Sequence, residues 1–120
     1  MKPRIGIIPG DPGGIGPELI AKLLADPEVR EKADILLIGD RHLFEMGQAQ
    51  AGAEIEMVAC DARKDDWTDI GGLAIHERET IAADDVRLAE VTYANGHSAL
   101  SNLNCALEMA RDGIIDAITF

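Results

Sequence analysis

The most informative stretch of the sequence is residues 5–18, which read IGIIPGDPGGIGPE. Residues 5–8 form a short apolar run rich in β-branched side chains, which predicts a strand buried on both faces. Residues 10–16 are dominated by glycine, which excludes a regular helix or strand there. Pro17 suits the first position of a helix because its missing N–H costs nothing there, and Glu18 adds favourable charge to the first turn. The stretch therefore predicts a strand, a tight loop and a helix.

The same pattern continues downstream. The first helix carries an apolar stripe made of Leu19, Ile20, Leu23 and Leu24. Further elements are predicted as a strand at 34–38, a turn at Gly39-Asp40, a helix at 41–51 ending near Gly52, and strands at 54–59 and 73–76. Residues 61–72 predict a surface loop in which Trp67 is a packing anchor. Strands that alternate with helices indicate an α/β domain with a largely parallel sheet.

The last third of the chain predicts one long helix and one strand. Apolar residues recur at helical spacing at Ala99, Leu100, Leu103, Ala106, Leu107 and Ala110. We expect Asn95 or Ser98 to cap the start of this helix, and Gly113 to end it. Residues 114–120 predict a strand that stops on an apolar residue, so we expect the chain to be a piece of a larger protein.

The composition narrows the classes of function. The chain has 120 residues, enough for one small domain, and a formal net charge of −11 from 22 acidic and 11 basic residues. This balance argues against nucleic acid as a partner. Cys60 and Cys105 lack metal or redox spacing, so we expect two buried thiols. No segment is long and apolar enough for a signal peptide or a membrane span, and a cytoplasmic location is expected.

The glycine-rich loop predicts contact with a phosphate or a carboxylate. A loop between a strand and a helix start offers backbone N–H donors and the positive end of the helix dipole. The triphosphatase loop needs a lysine after its last glycine, and Pro17 stands there instead. The dinucleotide fingerprint fits better because Asp40 follows the second strand, but its second glycine is replaced by Pro12. A purely structural role for the glycines, allowing tight chain reversal, stays open.

Residues 9–19, PGDPGGIGPEL, closely resemble the opening of the 4-hydroxythreonine-4-phosphate dehydrogenase family, which usually has GDPAGIGPE. Only Gly13 departs from that motif. A shorter form, GDGIGPE, opens the isocitrate and isopropylmalate dehydrogenases, and the inserted Pro12-Gly13 favours the hydroxythreonine-phosphate branch. A second resemblance comprises Asn95-Gly96-His97, then Asp112-Gly113 and residues 116–119, which look like the helix and strand just before the catalytic segments of the family.

The resemblance implies a three-layer α/β/α fold of the isocitrate/isopropylmalate dehydrogenase type, of which residues 1–120 form the N-terminal part. It also implies oxidation, with decarboxylation, of 4-phosphooxy-threonine or a related phosphorylated hydroxy acid, as in pyridoxal phosphate biosynthesis. NAD or NADP would be the oxidant, in a homodimer. A divalent metal such as zinc, magnesium or cobalt would polarise the substrate hydroxyl. In this family the metal-binding and substrate-binding residues lie beyond the matched portion.

The resemblance carries few site residues onto this chain. We expect no catalytic residue and no metal ligand here, and we name Gly10, Asp11 and Gly14 as candidates for the cofactor side of the cleft. Asp11 could equally stabilise its own turn. His42 and His76 are expected in surface or local hydrogen-bonding roles, whereas His97, beside a family-like helix entry, is a position to test for lining the cleft.

Two alternatives remain open at this stage. One is a paralogous dehydrogenase acting on another hydroxy acid or on a dihydrodiol. The other is a non-catalytic α/β module that binds a phosphate or a nucleotide. Under the dehydrogenase hypothesis, the 120 residues alone are expected to be inactive, since they lack the metal ligands and the partner domain.

Overall fold

A computed structural model describes residues 1–120. Its strands are β1 (Arg4–Ile7), β2 (Asp34–Gly39), β3 (Met57–Ala59), β4 (Leu73–Glu77) and β5 (Ala117–Thr119). Its helices are α1 (Gly16–Leu24), α2 (Pro27–Lys32), α3 (Arg41–Ala51) and α4 (Tyr93–Arg111). The strands pair only in parallel, in the order β3-β4-β2-β1-β5. The prediction of an α/β domain with a largely parallel sheet is confirmed.

Helices cover both faces of the sheet, as alternate residues of β2 demonstrate. Ile35 and Leu37 pack in the cluster that contains residues of α1 and α3. Leu36 and Ile38 pack in the opposite cluster with residues of α4. Because successive side chains of a strand point to opposite faces, the domain has three layers, helix, sheet and helix. This is why β2 is apolar on both faces.

The predicted apolar stripe of α1 is only half buried. Ile20 and Leu24 lie in the core, whereas Leu19 is 52% exposed and Leu23 is 45% exposed. The stripe is divided in this way because only one edge of α1 meets the sheet. The other edge borders a groove that Phe120 also lines.

The predicted cap of α4 is also wrong. Thr92 caps the helix, and its Oγ1 accepts a hydrogen bond of 3.1 Å from the N–H of Asn95. Asn95 and Ser98 lie inside the helix and are completely buried. The helix therefore starts two residues before Asn95, at Tyr93, directly after a β-branched hydroxyl residue that the apolar spacing did not include.

The buried face of α4 differs from the apolar face of its sequence. Leu100 is 69% exposed and Leu107 is 53% exposed. The buried face consists of Asn95, Ser98, Asn102, Cys105, Ala106 and Met109. The second half of this face packs on the sheet, but the first half contacts the loops that follow the strands. There the Asn95 amide donates to the backbone oxygens of Arg87 and Glu90, and the Ser98 hydroxyl hydrogen-bonds with that of Thr80. The Asn102 amide is buried without a hydrogen-bond partner.

The remaining predictions hold with small corrections. Trp67 is 5% exposed and packs in the core, as expected. The third strand starts at Met57 instead of residue 54, and the last strand is limited to 117–119. Gly39, expected in a turn, is the last residue of β2.

The two cysteines are free thiols in different surroundings. Cys105 is buried as expected, but Cys60 is only half-buried, which corrects the expectation of two buried thiols. Burial raises the pKa of the Cys60 thiol, and the carboxylates of Asp65 and Asp61 raise it further. Both effects disfavour the reactive thiolate.

Candidate functional site

The carboxyl ends of the strands meet at one edge of the sheet because the strands are parallel. The glycine-rich loop, residues 10–16, follows β1, Asp40 follows β2, and residues 78–82 follow β4. Strands β2 and β4 are neighbours, yet the chain leaves them toward helices on opposite faces of the sheet. Such a switch point at the carboxyl edge is where ligands bind in open α/β sheets.

The glycine-rich loop is built on Asp11. Its Oδ1 accepts a hydrogen bond of 2.8 Å from the N–H of Gly13, and its backbone oxygen accepts one of 2.9 Å from Gly14. Gly10 has a φ of +72°, a left-handed conformation that favours glycine. The Asp11 side chain therefore holds the turn, the role that sequence reasoning left open beside cofactor contact.

The first turn of α1 leaves donors free. Ile15 precedes the helix and provides no side-chain cap. The N–H groups of Gly16 and Glu18 have no acceptor in the chain. The carboxylate of Glu18 lies 3.4 Å from the Nζ of Lys22, which partly offsets its charge. Free N–H groups at a helix start suit a phosphate or carboxylate oxygen.

Gly13 connects the loop to the segment before α4. Its backbone oxygen accepts a hydrogen bond of 2.8 Å from the N–H of Ala89. A Cβ at position 13 would overlap the Arg87 carbonyl oxygen and lie 2.7 Å from Nδ2 of Asn95. That Nδ2 itself donates to the oxygens of Arg87 and Glu90. The departure from the family motif at this position thus permits a close approach of two loops.

A buried carboxylate joins the loops after β2 and β4. Asp40 is 1% exposed, and its Oδ2 accepts hydrogen bonds from the N–H groups of Thr80 and Ile81 at 2.7 and 3.1 Å. Its Oδ1 accepts from the Thr80 hydroxyl at 2.7 Å, and that hydroxyl lies 2.6 Å from Oγ of Ser98. All of these contacts are internal to the protein. Asp40 is therefore a structural acceptor, and the ribose-binding role of the ordinary dinucleotide fold does not apply to it.

The three histidines occupy different places. His42 and His97 line one cavity of about 550 Å³ at the carboxyl edge, and Nε2 of His42 lies 2.8 Å from the oxygen of Ile81. His76 belongs to β4, and its Nδ1 accepts a hydrogen bond of 3.2 Å from the N–H of Ala62. Burial lowers the pKa of His76, outweighing the opposite effect of Asp61.

Known proteins resemble this chain both in sequence and in fold. No family model matches the chain. A Pseudomonas aeruginosa protein that is provisionally named 4-hydroxythreonine-4-phosphate dehydrogenase 2 is 43% identical over 119 residues, covering 98% of the chain and 35% of that protein. The crystal structure of a 4-hydroxythreonine-4-phosphate dehydrogenase from Burkholderia phymatum superposes with a TM-score of 0.85 at 29% identity, covering 98% of the chain and 36% of that structure.

The predicted resemblance to 4-hydroxythreonine-4-phosphate dehydrogenases is confirmed. The chain spans about a third of the length of the curated relatives that it matches, consistent with an N-terminal portion. A Clostridium botulinum relative, 30% identical over 117 residues and covered to 35%, carries the provisional name D-threonate 4-phosphate dehydrogenase. The fold is that of the N-terminal part of these dehydrogenases.

Among the residues named from the dehydrogenase resemblance, Gly10, Asp11 and Gly14 lie together in one loop, while His97 lies in the cavity beside Asp40. The buried network around Asp40 was missed, since Thr80 and Ser98 are 40 and 58 residues away in sequence. A single acidic residue directly after a buried strand was the available signal.

No cluster of three or more His, Cys, Asp or Glu side chains could hold a metal, and no helix has the length and apolarity needed to span a membrane.

Proposed function

We propose that this chain is the N-terminal portion of an NAD-dependent dehydrogenase that oxidises and decarboxylates a phosphorylated hydroxy acid. The observation that carries the proposal is the 43% identity, over 98% of the chain, to a protein named for dehydrogenation of 4-hydroxythreonine 4-phosphate. A 30% identical relative named for D-threonate 4-phosphate supports the same substrate class. The leading substrate is 4-phosphooxy-threonine, as a step toward pyridoxal phosphate.

The chain's own contribution is anion binding at the carboxyl edge. NAD, or NADP, accepts the hydride when bound, and each carries phosphate oxygens that fit the free N–H groups of Gly16 and Glu18. Gly10 and Gly14 keep side chains away from this approach, and Asp11 fixes the shape of the loop. These residues bind and orient, and none of them is a proton carrier in the reaction.

The remaining chemistry is assigned to residues outside the chain. A divalent metal, when bound, polarises the substrate hydroxyl and stabilises charge on the ketone oxygen. We propose that its ligands, and those of the substrate, lie in the part of the protein that this chain does not include. The resemblance further supports a cytoplasmic homodimer, and the net charge of −11 disfavours nucleic acid.

A substrate panel tests this proposal. The complete protein is supplied with NAD or NADP and with zinc, magnesium or cobalt, and formation of the reduced cofactor is followed. The candidate substrates are 4-phosphooxy-threonine, D-threonate 4-phosphate and an unphosphorylated cis-dihydrodiol. Oxidation of a phosphorylated substrate is expected, with loss of its carboxyl group as carbon dioxide. Preference for the dihydrodiol would point to a paralogue, and oxidation of none would favour a non-catalytic binding module.

A further inference from the structure

The cavity of about 550 Å³ lies at the switch point between β2 and β4. Its walls come from His42 at the start of α3, from residues 78–82 after β4, and from Tyr93 and His97 in the first turns of α4. Three separate parts of the chain therefore converge on one concave surface. The network around Asp40 and Thr80 fixes two of those parts relative to each other.

Arg78 is the cation in this cavity. It is half-buried, its Nη2 donates a hydrogen bond of 2.8 Å to Oγ of Ser101, and its Nε is buried without an acceptor. It forms no ion pair, although the chain has twice as many acidic as basic residues. Four other arginines do pair with carboxylates, namely Arg4, Arg41, Arg63 and Arg111. A partly desolvated guanidinium without a counterion is costly unless a ligand supplies one.

The negative groups around the cavity do not fill that role. The oxygens of Asp40 are already engaged by Thr80 and Ile81. Glu79 and Asp85 also line the cavity, but both are exposed and neither pairs with Arg78. Water and salt screen such exposed charges, so they oppose a bound anion only weakly. The rings of Tyr93 and His97 stack with centroids 6.0 Å apart and form one wall.

We propose that this cavity binds a small oxyanion, a phosphate monoester or a carboxylate, on the guanidinium of Arg78, with His42 and His97 at its rim. The planar guanidinium presents several donors that match two oxygens of such an anion. The location agrees with the preference of ligands for switch points. The site does not depend on the proposed dehydrogenase activity, because it concerns binding by this chain alone.

Nuclear magnetic resonance on the 120-residue chain tests the site, with inorganic phosphate as the probe and acetate as the carboxylate probe. The expected result is a saturable change in the Nε–H signal of Arg78 and in the imidazole signals of His42 and His97. Arg78→Gln is expected to weaken binding about tenfold to a hundredfold. Arg78→Lys keeps the positive charge but loses the planar guanidinium donors, so an intermediate loss of phosphate affinity is expected.

Arg111→Gln is the matched control, because Arg111 is exposed and pairs only with Asp112. It is expected to leave phosphate binding unchanged. Equal weakening by Arg111→Gln, or changes that grow without saturation at every basic residue, would overturn the site. Saturable changes at the Gly16 and Glu18 amides with none at Arg78 would also overturn it, while supporting the anion-binding role proposed for the glycine-rich loop.

The same signals reveal whether the oxyanion comes from a substrate or from the cofactor. O-phosphoserine serves as a phosphorylated hydroxy acid, and NAD as the dinucleotide, each added to the phosphate-loaded chain. Displacement of phosphate from Arg78 by O-phosphoserine but not by NAD would assign a substrate-like anion. The reverse would assign the dinucleotide. Displacement by neither, with inorganic phosphate still bound, would restrict the site to small anions and contradict a phosphate monoester ligand.

Discussion

Asp40 illustrates how a charged residue can be retained inside a small α/β domain. A buried carboxylate is unfavourable unless hydrogen bonds replace the lost water. Here two backbone N–H groups and one hydroxyl do so. The bonds attach the segment after β4 to the end of β2, and the Thr80 hydroxyl extends the connection to Ser98 of α4. One side chain thus organises the carboxyl edge of the sheet.

Asp40→Ala is expected to lower the free energy of unfolding by about 2–4 kcal/mol, because it leaves the N–H groups of Thr80 and Ile81 without their acceptor. Urea unfolding followed by circular dichroism measures this change. Asp84→Ala is the control, since Asp84 is exposed and its side chain forms no hydrogen bond, and it is expected to change stability by about 0.5 kcal/mol or less. Equal effects of the two substitutions would show that the network contributes nothing.

His76 is expected to make stability depend on pH. Because burial lowers its pKa in the folded state, the unfolded chain binds the proton more tightly. The contribution of His76 is therefore complete above its ordinary pKa of about 6.5, and is lost as the pH falls below that value. The His76→Asn variant keeps an acceptor for the N–H of Ala62 but does not titrate. The unfolding free energies of the two proteins are measured from about pH 8 to about pH 5. As the pH falls, the protein with His76 is expected to lose stability relative to the His76→Asn variant. A constant difference would contradict this account.

Single-residue roles were predictable from sequence only where they were local. The turn made by Asp11 is set by residues two and three positions away, so its alternative structural role could be named in advance. The groups that donate hydrogen bonds to Asp40, and the approach of Gly13 to Arg87, depend on segments that meet only after folding. No spacing rule connects such residues, and the unpaired state of Arg78 is likewise visible only in three dimensions.

At the scale of elements, α1 and α3 pack closely at one glycine. Gly47 is buried in α3, and a Cβ there would overlap the carbonyl group of Pro17 and lie 2.8 Å from the Cβ of Pro17. The backbone of Pro17 belongs to α1 and follows directly from the glycine-rich loop. The glycine therefore sets how closely the two helices approach each other.

Gly47→Ala is expected to lower the free energy of unfolding by about 1–3 kcal/mol, because the overlap outweighs the better helix propensity of alanine. Gly96→Ala in α4 is the matched control, since nothing lies within 4 Å of its Cβ position. It is expected to raise stability by up to about 1 kcal/mol. Urea midpoints of both variants test the pair, and the account fails at this contact if both substitutions stabilise the chain.

Elements with local signals agreed with the sequence analysis, and α4 did not. The strand β1, the loop and the end of α3 at Gly52 follow from β-branched runs, glycine and left-handed caps. In α4 the apolar spacing selected a face on which Leu100 and Leu107 are exposed. Apolar periodicity indicates which residues share one face of a helix. Whether that face is buried depends on the segments that pack against it. Here the polar side faces inward over the strand ends.

At the scale of the molecule, parallel pairing explains why the candidate groups lie together. Every strand delivers its carboxyl end to one edge, so the glycine-rich loop, Asp40 and Arg78 share that edge despite their separation in sequence. The layer order and the family were predictable from the loop motif and the alternation of elements. The chemistry was not, since the chain covers 35% of its 43% identical relative.

The most direct test compares NAD reduction by the complete protein with that by the 120-residue chain, using 4-phosphooxy-threonine and a divalent metal. The account predicts turnover by the complete protein and none by the chain, because the proposed metal and substrate ligands lie outside it. Circular dichroism of the chain provides the control that it is folded. NAD reduction by the folded chain alone, or no oxidation of any phosphorylated hydroxy acid by the complete protein, would contradict the central claim.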